Sequence, residues 1–179
     1  MSKVYQLKIK ILDVKPLIWR RVQISISTTF WELHVLLRDT LYWLGSQTHF
    51  FKLVHNKKEY FIRSFIDDYD ENQFPLSWNV QMKKYLLNDK YKIYYIYGND
   101  EDFVHEIVLE KKVPKDFTID YPICIGGKGI TDEYPEEDEP IIGKQIKSLQ
   151  KFNVDDVVVT RSNYALSEHK VKLFDSLYS

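Results

Sequence analysis

Tyr5, Leu7, Ile9 and Ile11 alternate with Gln6, Lys8 and Lys10, a period of two that predicts a strand with one buried face and one wet face. Val22, Ile24 and Ile26 resume the alternation, and the segment from Asp13 to Pro16 predicts the hairpin turn between the two runs. Thr29-x-x-Glu32 then reads as a capping box, in which the hydroxyl accepts from a free helix amide and the carboxylate reaches back to the cap. Phe30, Leu33, Leu37, Leu41 and Leu44 follow at helical spacing, and Gly45 predicts the end of that helix. Farther on, Phe50 to Val54 and Glu59 to Ile62 predict a second hairpin, Val80 to Leu87 a short helix, and Lys92 to Tyr97 with Val104 to Lys111 a later strand pair. Ile142 to Leu149 reads as a helix, Val157 to Val159 as extended chain, and Ser167 to Leu177 as helical. Asp116 to Pro140 is the long stretch of loop character, and such loops are commonly functional or disordered. The expectation is one α+β domain over residues 1–179, with a mixed or largely antiparallel sheet and helices packed on one face.

A chain of 179 residues buries roughly 70% of its unfolded surface, enough for a real core. No apolar run approaches the ~20 residues of a membrane helix, so no membrane partner is expected. Met1-Ser2-Lys3-Val4 lacks a signal peptide's apolar segment, which leads to an expected cytoplasmic location. Cys124 is the single cysteine, so neither an intramolecular disulfide nor a cysteine-rich zinc site is available. Net charge is −1, but its distribution is uneven. Residues 1–63 hold eleven Lys and Arg against four Asp and Glu, and the remainder holds fourteen against twenty-two. Either the fold carries a basic and an acidic surface, or the two segments neutralise each other across it.

The opening strands carry Lys15, Pro16, Ile18, Trp19, Arg20 and Arg21, and the helix carries Leu33-His34. Trp43, His49 and Phe51 follow, then Tyr95, Tyr97, His105, Glu106, Ile107, Leu109 and Glu110, and finally Pro122, Cys124, Gly127 and Gly129. In these positions the chain resembles the plasmid Ri open-reading-frame-three-like proteins, passengers of plasmids and insertion sequences with no established activity. The departures are specific. Gln47 replaces a histidine, Gly98-Asn99-Asp100-Glu101 replaces Asp-Phe-Gly-Asp, Phe103 replaces a tryptophan, and Thr131 stands where a second cysteine is frequent. From about residue 152 the chain diverges. The resemblance implies a mobile-element accessory protein, and no function that depends on paired cysteines.

Four groups of residues carry chemistry. Arg20 and Arg21 point to opposite faces of a strand. Trp19 beside Arg21 reads as an aromatic platform for phosphate-bearing strands, or as packing beside an arginine that pairs with a carboxylate. His34, His49 and His105 have no ligand spacing such as H-x-x-x-H, so hydrogen-bonded structural roles compete with a metal or acid-base site. Gly126-Gly127-Lys128-Gly129 fails the phosphate-loop pattern and reads as a tight turn. No cofactor is expected. The run Asp132-Glu133-x-x-Glu136-Glu137-Asp138-Glu139 is a dense set of oxygen ligands without the order of a calcium loop, and reads as a solvated loop, a hard-cation site or a surface for a basic partner.

The leading expectation is a non-enzymatic interaction module. It binds a host or element macromolecule with a basic surface, as an inhibitor or counter-defence factor, through Glu133, Glu136, Glu137, Asp138 and Glu139, with Trp19 and Arg21 as further contacts. Thirteen tyrosines supply rigid amphipathic contact area for that role. Two alternatives stand beside it. One is a metal-dependent enzyme using His49, His105, Glu136 and Asp138; the other is a nucleic-acid binder using the basic amino-terminal half.

Overall fold

The computed structural model describes residues 2–41, 49–63, 77–86, 91–98 and 103–129. Within them the chain runs β1 (Lys3–Ile11), β2 (Trp19–Ser25), α1 (Phe30–Leu41), β3 (His49–His55) and β4 (Lys58–Arg63), then a 3-10 turn at Ser77–Asn79 and α2 (Lys83–Leu86). It continues with β5 (Lys92–Tyr97), β6 (Phe103–Pro114) and β7 (Ile123–Lys128). The strands form one sheet in the order β4-β3-β5-β6-β1-β2-β7, and every neighbouring pair is antiparallel.

This architecture overturns the expected α+β class. Among the described residues seven antiparallel strands dominate, and helix is confined to the twelve residues of α1, the four of α2 and the 3-10 turn. No layer of helices covers the sheet among the described residues. The short helix read at Val80 to Leu87 forms as α2, one turn at Lys83–Leu86 with Met82 and Leu86 buried and Lys83 and Lys84 exposed, too short to add a helical layer. The expected loop from Asp116 to Pro140 contains β7, an apolar and glycine-rich strand that β2 recruits by pairing. Glycines 126 and 127 therefore lie in extended chain, and the turn conformation falls to Gly129 (φ 74°), where a Cβ would come within 2.9 Å of Ile18. The helices read at 142–149 and 167–177 lie outside the described residues.

The alternation of apolar residues builds the core. Leu7, Ile9 and Ile11 of β1, Val22 and Ile24 of β2, and Phe51 and Leu53 of β3 are at most 2% exposed, and they gather with Phe30, Leu33, Leu37 and Leu41 of α1. The Phe30 and Phe51 rings meet edge to face at 4.8 Å, a preferred aromatic geometry. The capping box forms as read: the Thr29 amide donates to Glu32 Oε2 at 2.6 Å, and the Glu32 amide donates to Thr29 Oγ1 at 3.2 Å. A two-residue turn at Asn56 and Lys57, both with positive φ, joins β3 to β4, as the twist of a hairpin favours.

Candidate functional site

Tyr95 organises the histidines. It lies on β5 opposite His105 of β6, and its hydroxyl is 2.8 Å from His34 Nδ1 on α1. His105 Nδ1–H donates to the Tyr95 carbonyl at 3.0 Å, which sets the protonated nitrogen because a carbonyl only accepts. His34 and His49 stack with ring centroids 3.4 Å apart and planes within 3°, and Trp31 lies 5.2 Å from His34. The three histidines thus converge around one tyrosine, inside the core rather than in a cleft, at 4%, 5% and 0% exposure for His34, His49 and His105. Burial holds His34 well below its ordinary pKa, with His49 and Arg38 acting in the same direction, and lowers His105 to about 4 against the pull of its hydrogen bonds. Both are neutral imidazoles at neutral pH. Parallel rings direct their lone pairs in separate planes, so His34 and His49 do not chelate one ion in this arrangement. No group of three metal-capable side chains occurs among the described residues, and Glu136 and Asp138 lie outside them.

The Trp-Arg-Arg triplet divides by the pleat of β2. Arg20 points inward, fully buried, and its Nε donates to the Thr40 carbonyl at 2.6 Å while Nη1 donates to the carbonyls of Trp19 and Lys128. Thr40 is in the last turn of α1, whose carbonyls lack intrahelical partners and carry the negative end of the helix dipole. Arg20 therefore caps α1 from across the core and ties its end to β7. Arg21 points outward and grips Glu110 with both Nε and Nη2, at 2.6 and 2.7 Å. That fork holds the Glu110 carboxyl at about 2, with Gln6 helping. Trp19 lies between Lys8 and Arg21, 5.0 and 5.2 Å from their cations. Lys10 meets Glu106 at 2.9 Å. The basic positions of the first strands are thus answered by carboxylates of β6, which pairs with β1 along its length, so the uneven charge is largely neutralised on this face.

A further group of residues escaped the sequence reading. Beyond the Ile93–Ile107 pair, β6 runs on past the start of β5. In the angle between it and α2 opens a groove of about 230 Å³, walled by Tyr85, Leu86 and Tyr91 on one side and by Ile107, Val108 and Leu109 on the other. Tyr91 is the hub of an aromatic cluster, with Tyr85 edge-on at 5.2 Å, His55 at 4.7 Å and Tyr60 at 6.3 Å. Four different elements or connections supply these rings, so no local periodicity announces them.

Of the remaining candidates, Cys124 is partly buried on β7 with its thiol pKa raised by that burial, and its Sγ–H faces the Gly126 carbonyl at 3.6 Å. Glu133, Glu136, Glu137, Asp138 and Glu139 lie outside the described residues.

An antiparallel-sheet domain braced by a buried histidine–tyrosine cluster and an inward arginine is the class these features define. The chain belongs to the plasmid pRiA4b ORF-3-like protein family, whose family model matches residues 3–156. It is similar to a solved structure of a protein of unknown function, MM3350, from Methanosarcina mazei Go1, at 27% identity and a TM-score of 0.68, over 80% of this chain and 78% of that one. No curated protein matches. No described helix is long and apolar enough to cross a membrane.

Proposed function

We propose that the chain is a non-catalytic accessory protein of mobile elements, an interaction module that holds a basic macromolecular partner through its acidic, tyrosine-rich half in an inhibitory or counter-defence role. One observation carries this reading. Among the described residues the buried side chains able to move protons or hold transition-state charge, His34, His49, His105 and Arg20, are committed to bracing the core, whereas Tyr94 and Tyr121 keep part of their surface in solvent. Arg21 is engaged by Glu110, so Trp19 and Arg21 support that surface rather than form its centre. Glu133, Glu136, Glu137, Asp138 and Glu139 supply the charge that draws in a basic partner.

The test reverses the charge of Glu136, Glu137, Asp138 and Glu139 together. Capture of a basic protein from a host lysate, and its rebinding as a purified component, should be lost while the melting temperature stays nearly constant, because the charges of a solvated loop, as the sequence predicts for this run, contribute only tenths of a kcal/mol each to folding. Binding by the parent chain should weaken as salt rises. Unchanged capture overturns the reading. So does stabilisation of the parent chain by manganese or magnesium that the reversed variant loses, the behaviour of a resident metal site.

A further inference from the structure

We propose that the groove between α2 and β6 binds single-stranded nucleic acid, a nucleobase lying against Tyr85 and Tyr91 and the flanking phosphates meeting Lys84 and Lys92. This goes beyond the protein-binding role above, which draws on Glu133, Glu136, Glu137, Asp138 and Glu139, and draws instead on tyrosines and lysines.

Shape comes first. The groove's 230 Å³ admits a base, and its lining pairs aromatic rings with the apolar strand residues Ile107, Val108 and Leu109 and includes Lys92 and Glu106. Aromatic side chains beside a cationic track are how proteins hold unpaired strands without reading sequence, since every base has a face to stack. Charge is the second, independent observation. Lys57, Lys58, Lys84 and Lys92 are all exposed. Lys58 opposes His55, Lys92 opposes Val54, and Lys84 Nζ lies 5.6 Å from the Tyr85 ring, so all four belong to the end of the sheet where the aromatic cluster sits. Among the described residues two nearby carboxylates are already answered: Glu106 by Lys10 at 2.9 Å and Glu59 by Lys52 at 3.5 Å. Among the described residues no ion pair engages these four lysines. Unpaired positive charge therefore gathers beside the aromatic cluster, whereas on the Trp19–Arg21 strip Glu110 and Glu106 answer Arg21 and Lys10.

The ligand follows from both observations. A basic partner is repelled by the four lysines, an uncharged apolar peptide leaves them unanswered, and a duplex hides its base faces. An unpaired strand satisfies the rings and the lysines together.

The experiment is fluorescence anisotropy of the full chain with labelled twelve-nucleotide oligothymidine and oligouridine at ~50 mM and ~300 mM salt. Binding should fall steeply with salt. Tyr91→Ala should weaken it roughly tenfold or more, the loss expected for one stacked base. Lys92→Glu should weaken it too, and should flatten the salt dependence by about 0.7 in the log–log slope for each phosphate contact removed. Lys92 is exposed, so this variant stays folded and keeps the test valid if Tyr91→Ala does not. Lys128→Glu, the same charge change at the opposite edge of the sheet, should bind as the parent does. The proposal is overturned by an absence of binding at the lower salt, by equal effects of Lys92→Glu and Lys128→Glu, or by equal affinity for a duplex of the same sequence. It is also overturned if a mononucleotide binds as tightly as the oligomer, because a strand-tracking surface must gain from each added phosphate.

Discussion

Arg20 shows how one buried side chain can replace several local devices. Its guanidinium satisfies carbonyls from the end of α1, from its own strand and from β7, each a charge-assisted hydrogen bond. Arg20→Met keeps the volume but strands those acceptors, and is expected to cost about 3 kcal/mol, or roughly 10 °C in melting temperature for a chain of this size. A thermal melt that moves by only a degree or two would remove the cap from the account. His105 makes a different prediction, because its pKa is about 4 in the fold against about 6.5 in the unfolded chain. Above pH 6.5 both states are neutral there and its full contribution is present. Between 6.5 and 4 the unfolded chain takes up a proton that the folded chain refuses, so stability falls as pH falls, by on the order of 3 kcal/mol in all. His34 acts in the same direction, whereas Glu110, held at about 2, loses its contribution only below about pH 4.5. Urea titrations of the parent and of His105→Gln should show the variant's pH dependence flattened between 6.5 and 4.

At the scale of elements, α1 is held at both ends by side chains of different reach. The start is local: Thr29 and Glu32 exchange hydrogen bonds across three residues, and Thr29→Ala should cost about 1 kcal/mol, read as a shift in the denaturation midpoint with the slope unchanged. The end is non-local, since Arg20 arrives from β2. That difference is also one of legibility. The capping box could be read directly because its partners are three positions apart, while the arginine cap joins residues twenty apart and left no pattern. Strand β7 teaches the same lesson from the backbone: 123–128 alternates weakly and carries two glycines, and it becomes a strand because β2 offers it a ladder.

For the whole molecule, the pairing of β6 with β1 decides the electrostatics. It sets Glu106 opposite Lys10 and brings Glu110 within reach of Arg21, so an amino-terminal excess of cations and a later excess of anions cancel on one face. The same sheet order carries β3, β4 and β5 to the other side, where Lys57, Lys58, Lys84 and Lys92 retain their charge beside a tyrosine cluster. Binding surfaces follow from what pairing leaves over, which the count of charges along the chain does not contain.

By itself the sequence determined what is periodic or local: both early strands, the capped helix, the hairpin at Asn56-Lys57, the later strand pair, and the family, through Trp19-Arg20-Arg21 and the spaced histidines. It also determined that Arg20 and Arg21 part company, because a strand's side chains alternate by geometry. Only the tertiary structure decided that, among the described residues, seven antiparallel strands and not a sheet under helices make the fold. It alone gathered His34, His49 and His105 around Tyr95, and Tyr85 and Tyr91 across from β6. The physical reason is that hydrogen-bond ladders and burial couple residues more than a hundred positions apart, and such couplings carry no period along the chain.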